Sequence, residues 1–264
     1  MAGNSAAPGV TVASRLLAIL DAFDGEHRSL SLSDLASRAD LSLPTAHRLV
    51  RELVGWGALV RSTSGEYVIG QRMWTLGLLA PLPVALGQLA SPFLHDIHDA
   101  TLSTVHLVVR DGAAAVCVDR VVGSTSVRLA AHVGSRMPLH ATGAGKVLLA
   151  YAPVEVRAWV FANLTRVTPY TVTQPGRLRE EIRRVHQEGY AQTVEEMAMG
   201  GCSLAVPIFS PDERVVAALA LVLPTTFTQP RSRLVELLQG AARGVGGSLA
   251  RRYSRPAQSR RNRR

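Results

Sequence analysis

Two groups of residues in this chain have types and spacings that bear on chemistry, and both point to binding rather than bond-making. The first is Ser42, Pro44, Thr45, His47, Arg48 and Arg51 within SLPTAHRLVREL. At 100° per residue, Ala46, Leu49, Val50 and Leu53 form one apolar stripe; Pro44, His47, Arg48 and Arg51 fall on the opposite face, with Thr45 at its edge. An imidazole, a hydroxyl and two guanidinium groups on one helical face suit the major groove of duplex DNA, about 12 Å wide, where Arg pairs with guanine edges. A plain helical hairpin with solvated arginines has the same spacing, so the pattern alone leaves both open.

The second group is the loop-to-helix junction Leu139-His140-Ala141-Thr142-Gly143-Ala144-Gly145-Lys146. Its glycines leave backbone N–H groups uncovered where the helix dipole favours an anion, and a small carboxylate would suit it. A tight helix start that needs glycine only for packing is the competing account. A phosphate-binding P-loop is excluded, because that motif needs glycine where His140 stands and Ser or Thr where Val147 stands. Enzyme signals are weaker still. His95 and His98 form an HxxH without a carboxylate or thiol partner nearby, Glu195-Glu196 reads as a solvated turn whose side chains point apart, and Ser203 lies in no GxSxG elbow. No catalytic residue, metal or cofactor is expected.

The elements that must hold these groups follow from periodicity. Leu16, Leu17, Leu20 and Phe23 predict a first helix over Thr11 to Phe23. Ser33 to Leu53 reads as two short helices joined by a turn, the first capped by Ser33, the second by Ser42 with Pro44 in its first turn. Beyond Gly57, Ala58 to Arg61 and Glu66 to Gly70 alternate as the two strands of a wing. Further on, strands are expected at Val105 to Val109, Ala115 to Arg120, Thr125 to Ala131, Tyr190 to Val194, Ser203 to Phe209 and Val215 to Leu223. Helices are expected at Gly143 to Tyr151, Pro153 to Ala162, Pro175 to Glu188 and Pro230 to about Arg252. Hairpin strands beside segregated helices make an α+β domain around an antiparallel sheet.

The succession LSDLA, LSLPTAHRLVREL, GALVR and EYVIG resembles the winged helix-turn-helix of IclR-type bacterial transcription regulators. MPLHATGAGKVLLA at 137–150 and GCSLAVPIF with VVAALALVLP at 201–224 are similar to that family's effector-binding domain, so the likeness spans nearly the whole chain. It implies an N-terminal winged helix-turn-helix and a C-terminal GAF-like domain, an antiparallel sheet flanked by helices. It also implies an effector held between the junction at Leu139, Thr142, Gly143 and Ala144 and strands carrying Leu129, Met137, Thr193, Ser203, Ala220 and Val222. Family members that bind small oxo-acids resemble one another in a cysteine at the place of Ser203, an acid near Thr193, and serines at Ala220 and Val222. This chain departs at each. With fewer donors for a compact anion, the expected effector is larger and more apolar, such as an aromatic acid.

Composition bounds the rest. With 264 residues, 47% of them hydrophobic, the chain suits two domains, expected as 10–75 for DNA binding and 93–253 for the effector and oligomerisation. A helical linker at 76–92 joins them, and disordered tails are expected at 1–9 and 254–264. The net charge of +9 is concentrated in the tail: residues 251–264 hold seven arginines and no acid. Between Val10 and Thr75 seven arginines meet seven acids, so folding must gather the cations, and several copies on DNA are expected. Lone Cys117 and Cys202 suit reduced thiols in a cytoplasmic protein. Met73 to Leu94 carries no charge, yet Pro81, Pro83 and Pro92 and the missing basic flank argue against a membrane span. A helix to Ala80, a break at Pro81 and Pro83, a second helix from Val84 and a third from Pro92 are expected there, with the apolar surface covered by another copy. The whole describes a ligand-responsive DNA-binding regulator acting on a double-stranded operator as a homodimer or homotetramer. A constitutive DNA-binding protein with an oligomerising second domain, or a small-molecule enzyme, are the alternatives.

Overall fold

The computed structural model describes residues 11–79, 81–124 and 131–254. Contacts divide the chain into two compact units that meet at Pro81 and Leu82. The first holds helices α1 (Val12–Asp21), α2 (Leu32–Arg38), α3 (Leu43–Trp56) and α4 (Gln71–Gly77), with strands β1 (Ser29–Leu30), β2 (Leu59–Arg61) and β3 (Tyr67–Ile69). The strands form an antiparallel sheet in the order β1-β3-β2. Two-residue β1 is too short to register in the sequence pattern, and it is held by its pairing with β3 and by the Ser29 hydroxyl, which donates to Glu66 at 2.7 Å.

Three helices pack over this sheet around fully buried Ile19, Leu35, Leu49 and Leu59. The stripe of α1 is Leu16, Ile19, Leu20 and Phe23; Leu17, expected inside, is 56% exposed because it lies a residue off that spacing. The cap of α2 is Ser31 rather than Ser33. Its hydroxyl accepts from the Asp34 N–H at 3.2 Å while the Asp34 carboxylate accepts from the Ser31 N–H at 3.2 Å, a reciprocal capping box that starts the helix two residues earlier. Gly57 ends α3 at φ 86°, a left-handed geometry that glycine adopts without Cβ strain.

The second unit contains α5 (Pro81–Thr101), β4 (Thr104–Asp111), β5 (Ala114–Val121), β6 (Arg136–Pro138), α6 (Gly143–Ala150), α7 (Val154–Ala162), α8 (Pro175–Glu188), β7 (Ala191–Val194), β8 (Gly201–Phe209), β9 (Val215–Pro224) and α9 (Arg231–Ser254). Its six strands form an antiparallel sheet in the order β6-β5-β4-β9-β8-β7. Alternation splits the strands between two cores. Val105 and Leu107, with Leu219 and Leu221, bury against α5 and α9, while Val108, Ala218, Ala220 and Ala205 face α6 and α8. The architecture is mixed α+β, an antiparallel sheet flanked by helices.

The expected breaks between 80 and 94 do not occur as drawn. After α4 ends at Gly77, α5 runs through Pro92 without a new start. Pro81 and Pro83 sit in its first turn, where no N–H is needed. Pro92 forfeits a hydrogen bond, but Leu86, Ala90, Leu94 and Ile97 are each 0% exposed on one stripe, and that burial holds the helix together. The expected boundary at 92 and 93 therefore falls inside a helix. Among the described residues no helix is long and apolar enough to cross a membrane. At the other end α9 runs as expected through Arg251 and Arg252, which its C-terminal dipole favours, and takes in Ser254, the first residue of the expected tail. The strand expected at Thr125 to Ala131 lies outside the described residues except for Ala131, and the tails expected at 1–9 and 254–264 lie outside them except for Ser254.

Replacing Ser31 by Ala removes the capping box, and we expect the first unit to lose about 1 kcal/mol of stability, read as a lower urea midpoint. Ser33→Ala should leave it within about 0.5 kcal/mol.

Candidate functional site

The first site is the outer face of α3. Ala46, Leu49, Val50 and Leu53 are at most 4% exposed and anchor the helix. The opposite face carries exposed Pro44, His47, Arg48 and Arg51, with Thr45 half-buried. Ser42 occupies the N-cap position but makes no capping bond. With Pro44 lacking an N–H in the first turn, the Ser42 hydroxyl donates instead to Thr45 Oγ1 at 2.9 Å.

Most neighbouring arginines are committed within the unit. Arg38 pairs with Asp24 at 2.6 Å, Arg61 donates to the Gly65 carbonyl at 3.0 Å, and Arg72 stacks 4.2 Å from the Trp56 ring centre. His47, Arg48 and Arg51, by contrast, make no hydrogen bond or ion pair among the described residues. Arg38, Arg61 and Arg72 are thus held within the unit, and the side chains left without a partner on α3 include two of its cations, Arg48 and Arg51.

The second site is a cavity of about 360 Å³ between the start of α6 and the inner sheet face. Register explains which side chains reach it. Thr193 stands opposite Ser203, Ser203 opposite Val222 and Val222 opposite Thr104, so these positions form one row across four strands. The next row places Ala205, Ala220 and His106 side by side. Met137 closes one flank, and Thr142, Gly143 and Ala144 form the α6 side.

The structure therefore brings Met137, Thr142, Gly143, Ala144, Thr193, Ser203, Ala220 and Val222 around one space. Leu139 is not among its lining; it is 1% exposed and packs in the core beneath α6. Its carbonyl is the atom a Cβ at Gly145 would meet at 2.4 Å, so Leu139 supports the turn from below. Leu129 lies outside the described residues.

The amides of the junction are mostly spoken for. Gly143 N–H donates to Ser203 Oγ at 3.1 Å, Ser203 Oγ lies 2.6 Å from Thr193 Oγ1, and Gly145 N–H donates to Thr142 Oγ1 at 3.0 Å. A Cβ on Gly143 would sit 2.7 Å from Ser203 Oγ. Both glycines are thus required by close packing, and of the two accounts offered by the sequence the packing one is met in full. The Ala144 amide lies between them and has no hydrogen bond among the described residues.

Lys146, one turn further on, is 1% exposed and bonds Glu181 and Glu196, each at 2.6 Å. Glu196, expected in a solvated turn, is 7% exposed, and burial pushes its carboxyl above the usual range despite the lysine. Glu195 adopts φ 55° and turns away to accept from the Gly200 N–H, so the two carboxylates do point apart. His95 and His98 are engaged with the carbonyls of Ser91 and Ser103.

Sequence inspection missed His106. It sits in mid-strand, 4% exposed, lining the cavity, and its Nε2 has no hydrogen-bond partner among the described residues. Burial, with the Arg120 charge adding to it, pushes its pKa down to about 4, so the ring is neutral near pH 7. Lone polarity within TVHLVV is the only signal that would have flagged it. The cavity is otherwise lined largely by apolar side chains from Val108, Ala131, Met137, Met197 and Val222. A wider groove of about 820 Å³ runs beside Lys146, where Glu181 and Glu196 hold the lysine and Glu181 also pairs with Arg177 at 3.4 Å.

Comparison with known proteins bears on both sites. The family model described as "IclR helix-turn-helix domain" matches residues 12–63, and "Bacterial transcriptional regulator IclR C-terminal" matches residues 83–246. The transcriptional regulator XynR of Escherichia coli is 30% identical over 81% of this chain and 86% of its own length. The transcriptional repressor AllR of Salmonella typhi is 31% identical over 88% of this chain and 84% of its own. An IclR homolog from Microbacterium hydrocarbonoxydans, solved in complex with 4-hydroxybenzoate, is 32% identical with a TM-score of 0.85, covering 92% of this chain and 100% of that one.

Lys146→Ala would leave two carboxylates without their buried counter-charge, and we expect a loss of about 3–5 kcal/mol, read by chemical denaturation. Adding Glu181→Gln and Glu196→Gln to it should recover part of that loss.

Proposed function

The chain belongs to the IclR family of ligand-responsive transcription regulators, and from that premise we propose which surface reads DNA and what the second unit binds. It is a regulator rather than an enzyme. The face of α3 bearing Ser42, Pro44, Thr45, His47, Arg48 and Arg51 enters the major groove of an operator. The observation that carries this is the contrast within one unit: Arg38, Arg61 and Arg72 are tied to internal partners while His47, Arg48 and Arg51 stand exposed and unengaged on one helical face. Guanidinium groups free of internal partners lose least on meeting phosphates and guanine edges.

The effector occupies the cavity between α6 and the sheet and is a monocyclic aromatic acid. Support comes from the cavity's apolar lining, from a volume of about 360 Å³ at the small end of the usual ligand range, and from the 4-hydroxybenzoate complex of the related Microbacterium protein. Ala220 and Val222 replace the hydroxyls that a compact oxo-acid would need. The carboxylate lies toward the α6 start, where the helix dipole and the Ala144 amide favour negative charge.

The protein acts as a homodimer or homotetramer in the cytoplasm on a pseudo-palindromic site. Trp74 (62% exposed) and Leu79 (72%) make the end of the first unit a surface that a second copy covers. Effector binding alters the spacing or orientation of the paired recognition helices, and a hundredfold change in operator affinity requires a preference of about 2.7 kcal/mol for one state.

Arg48→Ala and Arg51→Ala should each weaken operator binding by about 1–3 kcal/mol in fluorescence anisotropy, with the fold unchanged by circular dichroism. Unchanged affinity in both would assign DNA reading to another face. In calorimetry the full chain should bind 4-hydroxybenzoate and not glyoxylate; the reverse preference would overturn the aromatic reading.

A further inference from the structure

The unpaired nitrogen at the centre of the sheet offers a way to say which aromatic acid is preferred. His106 lies on β4 in the row with Ala220 and Ala205, one row away from Ser203 and Val222. Small Ala220 beside it leaves the imidazole uncovered on that flank. Its Nε2 is buried without a partner in the described residues although the residue is only 4% exposed. Leaving such a group without a partner is unfavourable, and an apolar side chain of similar size would avoid that cost.

We propose that His106 is a specificity-determining residue of the effector cavity, exchanging a hydrogen bond through Nε2 with a hydroxyl on the aromatic ring at the end remote from the carboxylate. The inference rests on the aromatic-acid reading of the cavity and adds the ring substituent that is selected. Two lines of geometry support it. Ser203 marks the α6 end, because its Oγ receives the Gly143 N–H. His106 lies two strands across and two residues along from Ser203, so with strands about 4.8 Å apart and about 3.4 Å per residue the backbones are about 12 Å apart. That interval leaves room for one six-membered ring to lie between the α6 end and His106, with polar groups at opposite positions.

Charge argues the same way. The two cations nearby are already engaged, Arg120 opposite His106 with the Ala131 carbonyl and Arg136 with Asp111, and the neutral imidazole itself can serve a hydroxyl as donor or acceptor according to its tautomer. Val108, Val222 and Met137 surround the space with apolar atoms, so a ring lacking the hydroxyl would fit sterically and leave Nε2 unmet. Discrimination then comes from the unmet group rather than from a clash.

The test is calorimetry of the full chain with benzoate and 4-hydroxybenzoate. Wild type should bind 4-hydroxybenzoate at least about tenfold more tightly than benzoate. His106→Phe and His106→Leu should bring that ratio to about one while keeping benzoate binding, and His106→Gln, which retains hydrogen-bonding capacity, should fall between. Equal affinities in wild type, or a ratio unchanged in the Phe and Leu variants, would overturn the role of His106 and leave the aromatic reading standing. Failure of wild type to bind either acid would overturn the aromatic reading and this inference with it. Should one apolar variant not fold, the other carries the comparison.

Discussion

The second unit depends on how closely the first turn of α6 approaches the sheet. Gly143 can bring its amide to Ser203 Oγ, and Gly145 can pass against the Leu139 carbonyl, because neither carries a Cβ. Three hydroxyls then tie the contact together: Thr142 caps the helix, and Ser203 bridges the Gly143 amide to Thr193. This seam forms the α6 side of the cavity, whose sheet side is lined by Val108, Ala220 and Val222. It also drives Lys146 inward, where desolvation would be prohibitive without the two carboxylates that α8 and the segment after β7 supply.

The cavity is shaped by what its strands lack. Along the inner face Ala205, Ala218 and Ala220 replace larger side chains, and space opens above the sheet while the opposite face is packed with leucine and valine. One polar ring remains in that apolar space. Natural interiors seldom tolerate an unpaired donor or acceptor, and those that persist tend to mark places where another molecule completes the bonding. At α3 the side chains left without an internal partner, His47, Arg48 and Arg51, likewise stand together on one exposed face.

Periodicity and local chemistry made much of this legible in advance. The apolar stripe of α3, the Gly57 stop, the wing hairpin and the six-strand sheet's longer strands are short-range features, decided by residues within one or two turns of each other. Most failures occurred where a distant contact overrode the local signal, and one where a stronger local signal was passed over. Pro92 looks like a helix start until the burial of Leu86, Ala90, Leu94 and Ile97 on the sheet is counted. Ser33 looks like a cap until Asp34 is seen to reach back to Ser31. Glu196 looks solvated because nothing nearby in the chain betrays the lysine fifty residues earlier.

For the cavity the division is sharper. Residue types around the Gly143 turn and on the last strands, with the family likeness they carry, pointed to eight of the lining residues from the chain alone, Thr142, Gly143, Ser203 and Val222 among them. Which of them touch, that Leu139 supports the turn from beneath, and that His106 points into the same space were decided only by strand register, which aligns residues more than a hundred positions apart. Helix faces follow from a period written in consecutive residues; neighbours across a sheet follow from the pairing of segments whose partnership no local pattern encodes.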